Sequence, residues 1–170
     1  TTLFRSPVEK AAAFKKYKAL LSKGALAGAN PGHGREVFEK TCSSCHKLYE
    51  KGGLIGPDIT GANRTNIDYL LGNILTPSAI IQDAYRMQMV LMRDGRLYSG
   101  IPAVESERVL ELRVANQEKP VALAKSQIAS REIAPVSMMP EGLLANLSDA
   151  EVLDLVAYLQ KLKQVPLPKK

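Results

Sequence analysis

The sequence predicts a mainly α fold with a small antiparallel β insertion between a middle helix and a methionine-bearing loop. Three observations carry that expectation. Apolar residues recur at three- and four-residue spacing behind capping signals in four stretches of the chain. Between residues 84 and 134 the apolar period falls to two, with Asp94-Gly95 as a hairpin turn. After Pro135 the helical period returns.

Each element has its own signal. Ser6-Pro7-Val8-Glu9 reads as a capping box with Pro at the first helical position, and Phe14, Tyr17 and Leu21 follow on one face. Gly24 and the small residues up to Gly28 end that helix. Asn30-Pro31 is a second cap-and-proline start. Gly34, Val37, Phe38 and Thr41 then share a face of a short helix that runs into Cys42-Ser43-Ser44-Cys45-His46. A loop with Gly52-Gly53 and Gly56-Pro57-Asp58 follows. Thr65 to Asp68 caps the middle helix, where Ile67, Leu70, Leu71, Ile74 and Leu75 form an apolar stripe stopped by Pro77.

In the insertion, Met87, Met89 and Leu91 alternate with Gln88, Val90 and Met92, and Arg96 to Ala103 is the return strand. Val109, Glu111 and Arg113 alternate with Leu110, Leu112 and Val114. Val121 to Leu123 and Ile128 to Ile133 are weaker strand signals. Ser148-Asp149-Ala150-Glu151 is another capping box. Val152, Leu153, Leu155, Val156, Leu159 and Leu162 line a last helix that ends before Pro166.

Composition narrows the class. The 170 residues are enough for one domain with a buried core, yet aromatics are only 5% and Trp is absent. Charged residues at 24%, in strongly periodic segments, exclude a disordered chain. No apolar run is long enough to span a membrane, and two Cys exclude a disulfide scaffold. The start at Thr1, without initiator Met or signal peptide, is that expected of a mature form or an excised domain.

The net charge of +6 is concentrated. Residues 1–29 hold six Lys/Arg against one acid, residues 30–83 five against six, residues 84–134 eight against six, and residues 135–170 four of each. The first helix is therefore basic, either as a solvated face or as a docking face for an acidic partner or membrane. No nucleic-acid-binding motif accompanies its lysines, so nucleic acid is not an expected partner.

Cys42-Ser43-Ser44-Cys45-His46 carries the chemistry. A C-x-x-C-H pentapeptide reads as covalent haem attachment. Two thiols at this spacing on a tight turn add across the two vinyl groups, and the adjacent imidazole reaches the iron. A redox C-x-x-C would want a strand–motif–helix context, whereas this motif ends a short helix. A zinc site would need two more ligands, and His33 is the only other His. A sixth ligand is available in Met138-Met139-Pro140, just before the last helix. A thioether from either Met would complete His/Met coordination and raise the reduction potential. Met87, Met89 and Met92 fall in the strand pattern, where packing is the expected role.

Together these pieces resemble the class I c-type cytochromes. The matching residues are Gly34, Phe38 and Cys42 to His46, then Gly56-Pro57-Asp58-Ile59, then Met139-Pro140, then Leu147-Ser148-Asp149 with Glu151, Asp154-Leu155-Val156 and Tyr158-Leu159. They fall within residues 30–83 and 135–163. The inserted segment, with Asp94-Gly95-Arg96, Gly100 and the later Ser137-Met138-Met139-Pro140, is similar to the planctomycete-type haem-binding domain found at the C-terminus of large proteins.

The resemblance implies a cytochrome c fold around one haem c, attached through Cys42 and Cys45, with His46 and Met139 as axial ligands. Met139 is favoured over Met138 because the family's ligand directly precedes Pro. The resemblance also implies that the Pro57 carbonyl accepts a bond from His46 Nδ1–H. It places Gly34 and Phe38 against the last helix near Tyr158, and Asn63 and Arg64 where a haem propionate is bonded. The chain then divides into a basic N-terminal helix and linker, 1–29, and a monohaem domain, 30–170, interrupted by the β-rich insertion at 84–134. Shorter members of the family lack this insertion and the first helix.

The function so implied is electron transfer between proteins rather than enzymatic catalysis. A haem enzyme or gas sensor with a labile distal ligand is the alternative, motivated by the doubled Met138-Met139. A third reading is a non-redox module in which haem only nucleates the fold. Redox proteins, or a dehydrogenase domain of the same parent chain, are the expected partners. The periplasm is the expected location.

Overall fold

A computed structural model describes residues 6–168. The helices are α1 (Pro7–Leu20), α2 (Lys23–Ala27), α3 (Pro31–Thr41), α4 (Ile67–Leu75) and α5 (Asp149–Leu159). The strands are β1 (Gln88–Met92), β2 (Leu97–Glu105), β3 (Val109–Arg113), β4 (Val121–Ala124) and β5 (Ile128–Ile133). Short 3-10 turns at Asp83–Tyr85, Lys125–Gln127 and Leu143–Asn146 join them.

Caps set the helix starts. Ser6 with Glu9 and Ser148 with Glu151 form reciprocal capping boxes, and the Asn30 and Asn66 side chains accept from the first amides of α3 and α4. The first helix is shorter than the sequence pattern suggests. It stops at Leu20, Leu21 turns inward, and Ser22 caps the separate α2. The last helix is shorter too. It ends at Leu159, and Leu162 is exposed. Its terminal carbonyls are taken by Arg64, which donates from Nη1 to Leu159 O and, at 2.8 Å, to Lys161 O. A helix end bonded this way has no reason to run on.

The helices bury one core. α3 crosses α5, α1 packs on α4, and α2 touches α5. Gly34 makes the first crossing possible, because a Cβ there would lie 1.8 Å from the Asp154 carbonyl oxygen. Beside it the Phe38 and Tyr158 rings meet at 5.6 Å, and Val37, Leu71, Leu155 and Val156 fill the space around them.

The strands form one antiparallel sheet in the order β4-β3-β2-β1-β5. Its register slips at Leu91/Met92 and at Pro102/Val104, where the strands bend. Val90, Met92, Leu110, Leu112 and Leu123 form a second core, with Tyr98 and Val121 packed on it. Arg131 of β5 grips Glu105 at the end of β2 through both terminal nitrogens, at 2.8 and 2.9 Å, and Lys125 reaches the same carboxylate at 2.6 Å.

This architecture corrects the expected fold class. The protein is not mainly α: the described residues are 37% helix and 19% strand, and the five-stranded sheet carries an apolar core of its own. The sequence predicts a sheet of three to five strands as a small insertion on a helical body. The weak ones, Val121–Ala124 and Ile128–Ile133, complete a sheet large enough to bury its own face. An α+β description fits that arrangement.

Candidate haem site

The site is built on the turn that ends α3. Cys42 caps the helix, and its carbonyl accepts from Cys45 N at 3.1 Å and His46 N at 2.9 Å. That tight turn presents both thiols and the imidazole from one short stretch. The following loop is laced to it: Gly53 N donates to Ser43 O at 2.7 Å, Gly56 N to Cys45 O at 2.8 Å, and Ile59 N to Lys47 O at 2.9 Å.

The imidazole is held from two sides. His46 Nδ1 lies 3.0 Å from the Pro57 carbonyl oxygen, so Nδ1–H is the donor and Nε2 is the nitrogen with a free lone pair. Gly56 lies flat against the ring: a Cβ there would come within 2.5 Å of His46 Cε1. Only glycine lets the backbone approach so closely.

Cys42, Cys45, His46, Pro57, Arg64 and Met139, all singled out from the sequence, line one cavity of about 340 Å3. Met138 lines it as well. The cavity lies between the α3 turn, α4 and the segment after β5, with Leu70, Ile74 and Pro77 on the α4 side. Its size and apolar lining suit a prosthetic group. Both cysteines are free thiols. Burial, reinforced by Cys45, pushes the Cys42 thiol up to about 12. Among the described residues no cluster of three or more His, Cys, Asp or Glu could hold a metal ion, which leaves the zinc reading without ligands.

Arg64 has two tasks. It is buried, and its terminal nitrogens are spent on the carbonyls of Leu159, Lys161 and Thr60 (the last at 2.9 Å) and on the Tyr49 hydroxyl at 3.2 Å. Its Nε alone is buried without a hydrogen-bond partner among the described residues. An orphaned cationic N–H on the wall of an apolar cavity is costly unless something in the cavity accepts from it. Two thiols, one oriented imidazole, a thioether loop and that orphaned donor together fit haem. Asn63, by contrast, is exposed and does not line the cavity.

Sequence reasoning missed the far wall of this site. Ser78, between α4 and β1, accepts from Ser137 N at 3.0 Å, and the Ser137 hydroxyl accepts from Met139 N at 3.1 Å. No motif marks a lone Ser whose bond spans that separation in the chain. Tyr49 was also unmarked. It adopts a left-handed backbone, with φ of 50°, and stacks under the Arg64 guanidinium.

Residues 29–96 match the family described as Cytochrome C oxidase, cbb3-type, subunit III. The match spans α3, the Cys-Ser-Ser-Cys-His turn, α4 and β1, and it supports a haem-binding c-type cytochrome. No curated protein matches the chain. Among the described residues no helix is long and apolar enough to cross a membrane.

Proposed function

We propose that this protein is a monohaem electron-transfer cytochrome with His46 and Met139 as axial ligands. The observation that carries the reading is that His46, already oriented by Pro57, shares one apolar cavity with Met139 and both free cysteines. When bound, haem supplies a reversible one-electron couple.

The chain's own residues then do five things. Cys42 and Cys45 hold the group covalently, so it is not lost when its charge changes. Pro57 fixes the His46 tautomer and leaves Nε2 for the iron. Met139 gives the distal side a soft thioether, which favours the reduced form. Leu70, Ile74 and Pro77 exclude water from the cavity and keep the local dielectric low. The orphaned Arg64 Nε would meet a propionate. His46 and Met139 would both hold the iron, and the reading is of a carrier rather than a catalyst. A redox protein, or a dehydrogenase domain on the same parent chain, is the proposed partner, and the periplasm the proposed location.

The test is a pair of substitutions. Met139→Ala is expected to lower the reduction potential and let ferrous protein bind CO, while Met138→Ala changes neither. The reverse pattern would assign the ligand to Met138. Strong CO binding by the unaltered protein would point instead to a sensor or enzyme with a labile distal ligand.

A further inference from the structure

We infer that Ser78 and Lys10 are positioning residues that set the methionine segment from outside it; this rests on the assignment of Met139 as a ligand. The segment Pro135 to Glu141 has no regular secondary structure. Two of its residues are prolines, Pro135 and Pro140, which lack an amide donor. A segment of this kind stays in place only where other elements bond to it.

Two elements do so. At the upstream end, the Ser78 hydroxyl accepts from Ser137 N at 3.0 Å, and Ser137 in turn accepts from Met139 N at 3.1 Å. This short chain fixes the backbone on the N-terminal side of Met139. Ser78 follows directly on Pro77, which is buried on the cavity wall. The methionine side of the cavity is therefore bonded to the α4 side. At the downstream end, Lys10 of α1 donates to Glu141 at 2.7 Å, and the Glu141 side chain is only 8% exposed. A shielded ion pair of this kind is worth more than an exposed one. The first helix, α1, thus has a role at the methionine side of the site.

Freeing either end raises the share of molecules in which Met139 is off the iron. An added ligand that competes for that position then binds more tightly in proportion. Losing one such bond is expected to shift the balance about fivefold.

The experiment uses the haem-loaded full chain and imidazole as the competing ligand. Ser78→Ala and Lys10→Met are each expected to tighten apparent imidazole binding to the ferric protein about fivefold. Ser78→Thr and Lys10→Arg, which keep the hydroxyl and the charge, are expected to restore it. In the haem-loaded chain, Ser78→Ala should also speed amide hydrogen exchange at Ser137 and Met139, with α3 and α5 unchanged. Met139→Ala separates the two claims. If it tightens imidazole binding while Ser78→Ala and Lys10→Met leave it as in the unaltered protein, the positioning inference fails and the ligand assignment stands. If Met139→Ala itself leaves imidazole binding unchanged, the ligand assignment fails and the inference falls with it.

Discussion

At the residue scale, the site depends on groups whose state is fixed before any ligand arrives. His46 has one ring nitrogen committed to Pro57 O. Arg64 has its terminal nitrogens committed to the end of α5. Cys42 is partly buried, and that desolvation, reinforced by Cys45, holds its thiol up to about 12. A thiol in that state is a poor nucleophile near neutral pH and resists alkylation and oxidation. Iodoacetamide is therefore expected to label Cys42 more slowly in the folded haem-free chain than in the unfolded chain. Mapping the labelled peptide over time measures this, and equal rates would contradict the partly buried position. Most of these residues were legible in the sequence because the chemistry of the pentapeptide demands them in order. Pro57 and Arg64 were legible only through family resemblance. Ser78 was not legible at all, since a single hydroxyl bonding across the fold leaves no local pattern.

At the scale of elements, the crossing of α3 and α5 positions the haem-binding turn. Gly34 sits where the two helices touch backbone to backbone. Gly34→Ala would force a Cβ to 1.8 Å from the Asp154 carbonyl and is expected to cost about 3 kcal/mol or more. Chemical denaturation of the two proteins checks it. A loss under 1 kcal/mol, the usual cost of a surface change, would mean that the helices part easily. Helix starts could be read from the sequence because Ser6, Asn30 and Ser148 cap them by local bonds. Helix ends were misread where a distant group decides them. Leu162 continues the apolar period of α5, yet Arg64 ends that helix at Leu159.

At the scale of the whole molecule, the fold has two apolar cores, and the sequence signal for the second was split among five short strands. Periodicity marks Gln88–Met92, the return strand and Val109–Arg113, and β4 and β5 more weakly, but it does not show that the strands together bury an apolar interior. The charge count was similarly incomplete. The basic first helix reads as a free positive face, yet Lys10, Lys16 and Lys18 meet Glu141, Asp149 and Asp68 across the fold. The last two of these pairs are solvent-exposed and contribute little to stability.

The sheet has its own pH signature. Arg131, and after it Lys125, holds the Glu105 carboxyl down to about 2 from the ordinary 4.5. Because the folded value is the lower one, the ionised carboxylate stabilises the fold above about 4.5, and that contribution is lost as pH falls towards 2. Glu105→Gln is thus expected to be less stable than the unaltered protein at neutral pH, with the difference closing as the solution approaches pH 2. Thermal melts across that range would show it, and a difference independent of pH would remove the ion pair from the account.

If Cys42 and Cys45 hold one haem through thioether bonds, intact mass measurement of the matured, acid-acetone-extracted and denatured polypeptide will show it. The expected chain stays red after extraction and is heavier by one haem, with Cys42→Ala and Cys45→Ala together giving colourless protein at the polypeptide mass. An unaltered protein that loses its colour on extraction and weighs no more than its polypeptide would contradict it.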